Sequence, residues 1–219
     1  TSLSSSSGST TSPVIIGTYD LIEGPTIASA STGVYARDLN DSGSDEVVLA
    51  GRSSQSFDEN NVIGDWQNFE IQIFGWNTGT FSRETDSWFL AEENSIRGTE
   101  PSVHFADFDG DGNTDMSVAH GTDNGEEALY GPSHVYFNTG TSSFEKTLIN
   151  HEATWAHDSA VADFDGDGLD DFLIGSFNGN MSLAFGAADR SFDLYQAKSS
   201  PVGIGLAAGD FLNDGTMTF

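Results

Sequence analysis

The stretch VADFDGDGLDDFLIGS, Val161 to Ser176, places five aspartates between two apolar runs. Four of them, Asp163, Asp165, Asp167 and Asp171, fall at positions 1, 3, 5 and 9 of one short loop, counted from Asp163. Like charges this dense repel one another, so a compensating partner is required. A second copy, FADFDGDGNTDMSVAH, Phe105 to His120, repeats the arrangement with Asp107, Asp109, Asp111, Asn113 and Asp115. Glycine at positions 4 and 6 of both loops allows the positive φ that folds alternate side chains toward one point.

Two weaker copies flank these. DLNDSGSDEVVLAG starts at Asp38 and DFLNDGTMTF at Asp210, so the first aspartates of the four loops are 69, 56 and 47 residues apart. Each of the first three loops is followed by a pair of phenylalanines seven apart: Phe74/Phe81, Phe137/Phe144 and Phe185/Phe192. Two independent landmarks recurring in one order define a structural repeat. Its variable length sits mainly in insertions at 52–68 and 121–132, rich in Gly, Ser, Asn and acidic residues. In repeat architectures such insertions are surface loops, often on the working face.

Within a repeat the periodicity is two. EVVLA (46–50), FEIQIF (69–74), HVYF (134–137), DFLIG (171–175) and MSLAF (181–185) are short, β-branched or aromatic, and punctuated by Gly, Asn-Gly and Asp-Gly. No amphipathic helical stretch is convincing. Each repeat reads as four strands: one entering the acidic loop, one leaving it, one ending at the first phenylalanine and one starting at the second. Four-stranded units of about 40–50 residues repeated in series predict an all-β chain, a β-propeller of four-stranded blades. The blades are expected around 31–95, 99–150 and 156–198, with a partial blade at 202–219. VIIGTYDLI (14–22) reads as the last strand of a preceding blade, and TSLSSSSGSTTSP (1–13) as a Ser/Thr-rich flexible linker or tail, a composition that also admits glycosylation.

The loops predict a metal. Hard oxygen ligands in a flexible cage select Ca²⁺ over transition metals. The expected ligands are Asp107, Asp109, Asp111, the Asn113 carbonyl and Asp115 in one loop. In the next they are Asp163, Asp165, Asp167, the Leu169 carbonyl and Asp171. A third site is expected at Asp38, Asn40, Ser42, the Ser44 carbonyl and Glu46. In the last loop Leu212 and Thr218 stand at positions 3 and 9, and leucine cannot ligate, so a metal-free turn competes with a fourth site. An EF-hand is excluded because it needs helical flanks and a glutamate at position 12, which here is Val118 or Ile174.

Composition narrows the function. The 219 residues include 34 acidic and 7 basic ones, for a formal net charge of −27. Such a field repels nucleic-acid phosphates and anionic membranes, and no apolar run approaches the ~18 residues of a membrane span. With 37% hydrophobic residues and 16 Phe a core can form, and with no cysteine the loops need another staple, for which metal is the natural substitute.

VADFDGDGLDDFLIG and FADFDGDGNTDMSVA resemble the FG-GAP/VCBS repeats of integrin-α-type β-propellers. The resemblance runs from Val14 to Phe219. It implies structural Ca²⁺ at Asp107, Asp109, Asp111, Asn113 and Asp115 and at Asp163, Asp165, Asp167, Leu169 and Asp171, while Ser42, Leu212 and Thr218 depart from the family pattern in the outer loops. The resemblance further implies a secreted or cell-surface location, and a seven-bladed propeller of which this chain forms part, continuing into further blades or domains. It also implies a role in adhesion or in binding a glycan or surface protein. The family equally includes propellers attached to polysaccharide lyases, and a purely structural spacer is a third reading.

For ligand binding, Trp66, Trp76, Trp88 and Trp155 are candidate sugar-stacking platforms, with blade packing as the competing role. For catalysis, His104, His120, His134, His151 and His157 are candidate bases or zinc ligands, with Tyr130 or Tyr136 as acids. No HExxH or HxxxH pattern links these histidines, and seven basic residues are few for clamping a polyanion. Catalysis is therefore the less favoured reading.

Overall fold

The computed structural model describes residues 31–52, 69–77, 79–90, 95–96, 99–121, 133–149, 156–176, 180–197 and 205–219. The predicted tail, the strand at 14–22, most of both insertions, and Trp66, Tyr130, His151 and Trp155 lie outside them. The described residues form three antiparallel sheets in series. The first contains β1 (Ser31–Arg37), β2 (Glu46–Arg52), β3 (Phe69–Asn77) and β4 (Thr80–Arg83), with β5 (Ser95–Ile96) also paired to β3. The second runs in the order β6 (Thr99–Ala106), β7 (Asp115–Gly121), β8 (Ser133–Asn138), β9 (Phe144–Ile149). The third is β10 (Ala156–Ala162), β11 (Asp171–Ser176), β12 (Met181–Gly186), β13 (Phe192–Ala197).

These are the four-stranded blades the repeat predicts. Each of the first three acidic loops connects the first strand of a sheet to the second, and the second phenylalanine of each pair lies on the fourth strand. The first strands β1, β6 and β10 pack side by side, as the inner strands of a propeller do.

Alternation along the strands explains how the sheets stack. In the second sheet, Met116, Val118 and Tyr136 join Val48, Ile71, Ile73 and Trp88 in the layer against the first sheet. Ala119, Val135 and Phe137 point the other way, into a layer with Phe172, Ile174 and Ala184 of the third. The middle sheet thus buries both faces, which a period of two allows only when each face meets a partner.

One element departs from the strand pattern. The single helical turn α1 (Thr85–Trp88) interrupts the edge of β3 between β4 and β5. Thr85 Oγ1 takes over the ladder there: it accepts from the Ile73 N–H at 3.0 Å and lies 3.4 Å from the Ile73 carbonyl. The turn delivers Trp88 and Phe89 into the layer between the first two sheets, 5.0 Å from the Phe144 ring and 5.3 Å from the Tyr136 ring respectively.

Candidate metal centres

All four acidic loops share one backbone shape. Each closes on the same register, with Arg37 opposite Glu46, Ala106 opposite Asp115, Ala162 opposite Asp171 and Gly209 opposite Thr218. Positions 4 and 6 have positive φ throughout. Gly110 and Gly166 hold position 4 in the central loops, whereas Asp41 and Asn213, each at φ 54°, hold it in the outer ones. Asp and Asn are the residue types that tolerate this region best after glycine. At Gly110 a Cβ would also come within 2.7 Å of Leu169 Cδ2 from the neighbouring loop, a contact the leucine end can relieve by shifting.

The position-1 aspartate organises the turn. Asp107 accepts from the N–H groups of Gly110 and Gly112 at 2.8 and 3.0 Å, and Asp163 from Gly166 and Gly168 at 2.7 and 3.0 Å. Asp38 and Asp210 do the same in the outer loops, to Ser42 and Gly43 and to Asp214 and Gly215. Asp210, fully exposed, is held below the usual carboxylate range by these backbone donors, first among them Gly215.

The position-9 carboxylate pins the loop to its sheet. Asp115 accepts from Phe108 N–H at 3.0 Å and from Asn138 N–H, at the end of β8, at 2.8 Å. Asp171 repeats this with Phe164 at 2.7 Å and Gly186, at the end of β12, at 3.0 Å. Glu46 plays the part in the first loop through the Leu39 N–H, at 2.8 Å. Burial pushes the Asp115 carboxyl up to about 7, against the hydrogen bonds from Asn138 and Phe108 and with the repulsion of Asp109 and Asp111 added. Burial likewise raises Asp171 and Glu46. These groups resist carrying a negative charge unless a cation joins them.

Two clusters meet the requirements of such a cation. Asp107, Asp109 and Asp115 each place a carboxylate oxygen within 4.8 Å of the others, and so do Asp163, Asp165 and Asp171. A carboxylate has about four acceptor directions, so the backbone hydrogen bonds leave room for a metal. The donor set is oxygen alone, which fits Ca²⁺. The remaining predicted ligands lie in the same turns: Asp111 and Asp167 accept from the N–H groups of Asn113 and Leu169, both at 2.8 Å. In the first loop Asn40 Nδ2 donates to Glu46 at 2.8 Å, and Ser42 Oγ lies 3.3 Å from the Ser44 carbonyl.

The segment 107–174, from the first aspartate of one central loop to the strand beyond the other, matches the family model described as an FG-GAP-like repeat. The match takes in both carboxylate clusters and the strands that carry them, so the FG-GAP segment and the candidate metal centres coincide. Comparison with curated proteins finds no match to the chain.

The other candidate residues fall differently. Trp88 is fully buried between sheets and Trp76 packs edge-on against Phe81, 4.9 Å between ring centroids. Of the four tryptophans only Trp76 is both described and partly exposed, and Trp88 belongs to the core. Tyr136 and His134 are buried in β8, the first completely, which removes Tyr136 as an acid toward an external substrate. His120 and His157 are on described strands, with side chains outside the described set.

His104 belongs to a network the sequence did not reveal. Its Nε2 lies 3.3 Å from Ser102 Oγ, which lies 3.1 Å from Asp158 Oδ1 of the next sheet. Ser159 Oγ donates to Ser102 Oγ at 3.0 Å, and Asp158 Oδ2 accepts from the Leu206 N–H at 2.7 Å. Burial lowers the His104 pKa and so favours neutral imidazole. Here the aspartate contacts the serine rather than the histidine, so the order needed to activate a serine nucleophile is absent. The network instead joins the inner strands of adjacent blades.

Proposed function

We propose that the protein is a Ca²⁺-stabilised extracellular β-propeller module that binds a glycan or a surface protein in adhesion. The observation that carries the metal reading is the pair of carboxylate clusters at equivalent loops of successive blades. The FG-GAP-like repeat over the same residues supports the extracellular, adhesion-type setting. Asp107, Asp109 and Asp115 would hold one ion and Asp163, Asp165 and Asp171 another, with Asp111, Asp167 and the carbonyls of Asn113 and Leu169 as further ligands. The first loop, with Asp38, Asn40, Ser42, Ser44 and Glu46, would hold a third. The ion supplies positive charge that offsets the crowded carboxylates.

In this reading the acidic residues maintain the fold and the ligand meets other surfaces. The insertions 52–68 and 121–132 are the proposed contact regions, and Trp66 the proposed stacking residue within them. The strong negative charge favours neutral or cationic partners. A glycan array probed in Ca²⁺ and again in chelator tests this. Binding in Ca²⁺ that is lost in chelator and weakened by Trp66→Ala is expected. Equal binding in both conditions would contradict the calcium dependence, and no binding in Ca²⁺ would contradict the glycan ligand.

A further inference from the structure

The two central loops have nearly the same sequence and different surroundings. Asp109 is buried, whereas its counterpart Asp165 is exposed. Asp109 is covered by Arg190, which comes from the turn between β12 and β13 of the adjacent blade. Its Nε donates to Asp109 Oδ2 at 2.7 Å and its Nη1 to Glu145 at 2.8 Å, with Nη2 3.4 Å from Asp111. The guanidinium also lies over the Phe137 ring, 5.4 Å from its centroid. The Arg190 backbone is left-handed, at φ 67°, a conformation unusual for an arginine. Among the described residues no Lys or Arg ion pair reaches Asp163, Asp165, Asp167 or Asp171.

We propose that Arg190 is a built-in counter-cation of the Asp107–Asp115 loop: it latches that loop to the next blade when metal is absent and competes with Ca²⁺ for its carboxylates. The proposal rests on the calcium reading above for its second half only. An arginine seated on Asp109 and Asp111 neutralises part of the charge that would attract a divalent ion. With Arg190 in place the Asp107–Asp115 loop stays ordered without the ion and binds it more weakly than it would without the arginine. The alternative role for an outer-shell partner, orienting a ligand carboxylate, predicts the opposite sign, because its loss would weaken metal binding. Asp109 Oδ1 already accepts from the Asp111 N–H at 3.1 Å, so its orientation does not depend on Arg190 alone.

Arg190→Gln removes the charge and keeps a polar, shorter side chain at the left-handed position. Two measurements on the full chain decide the matter. In EDTA, the variant's melting temperature is expected to fall by a few degrees, and Arg190→Lys to restore part of the loss. In calcium titrations on an Asp38→Ala, Asp165→Ala background, which removes the other two proposed sites, Arg190→Gln is expected to tighten Ca²⁺ binding by about tenfold, the scale of a typical coupling between competing charges. An unchanged melting temperature in EDTA would overturn the latch, and unchanged or weakened Ca²⁺ binding would overturn the competition. If the wild type and Arg190→Gln both ignore Ca²⁺, the calcium reading fails and the competition with it. The EDTA comparison still decides the latch in that case.

Discussion

Asp115→Ala is expected to destabilise the protein by about 2–5 kcal/mol even in EDTA, where no metal effect contributes. The substitution strands the buried N–H groups of Phe108 and Asn138, and each unsatisfied buried donor costs about 1–3 kcal/mol. Denaturant unfolding measures the loss. Asp115→Asn should cost less, because its carbonyl oxygen still accepts one of the two bonds and its neutral amide escapes repulsion from Asp109 and Asp111. The pH dependence adds a second readout. A carboxyl whose folded pKa is raised to about 7 contributes stability below its unfolded value, near 4, and loses it as pH rises through 7. Metal-free wild type should therefore weaken between pH 4 and 7, and Asp115→Asn should weaken less steeply. Equal stability of Asp115→Ala and wild type in EDTA would show that this carboxylate does not pin the loop.

Phe108→Ala has an effect of similar size for a different reason. Phe108 occupies position 2 of the Asp107–Asp115 loop, with no exposed surface. Its ring lies 6.3 Å from that of Phe172 and 6.2 Å from that of Phe192, both in the next blade. The loop is thus anchored across the blade boundary by an aromatic side chain as well as by charge. Truncating a buried phenylalanine typically costs about 3–5 kcal/mol, through lost burial and the cavity left behind. Phe108→Leu, which keeps most of the volume, should lose much less. If Phe108→Ala unfolded at the wild-type denaturant concentration, the described packing between these blades would be wrong.

The fold was legible because its signals are local and repeated. The turns at 107–115 and 163–171 state their geometry in nine residues each, and EVVLA, FEIQIF and MSLAF state their strand periodicity. The outer loops were harder to read. Asp41 and Asn213 stand where glycine is expected, and only their tolerance of positive φ marks them as equivalent. That signal was present in the sequence and is chemical rather than one of identity. The turn α1 escaped because four residues carry no helical period, and its place depends on Thr85 meeting Ile73 twelve positions away. Arg190 had no local signature at all. It stands 81 residues from Asp109, and only stacking of successive sheets brings them together. The Ser102–His104–Asp158 network is hidden for the same reason. Trp88 illustrates the limit for function, since an aromatic residue in an acidic stretch reads alike whether it stacks on a sugar or fills a core.

The proposed role of the acidic loops is that of metal staples. Thermal unfolding of the wild type and of Asp165→Ala, each in millimolar Ca²⁺ and in EDTA, tests it most directly. A ligand at about a hundred times its dissociation constant stabilises the folded state by roughly 2.7 kcal/mol per site. A clearly higher melting temperature is expected for the wild type in Ca²⁺ than in EDTA, with a smaller gain for Asp165→Ala. A wild-type melting temperature indifferent to EDTA would contradict it.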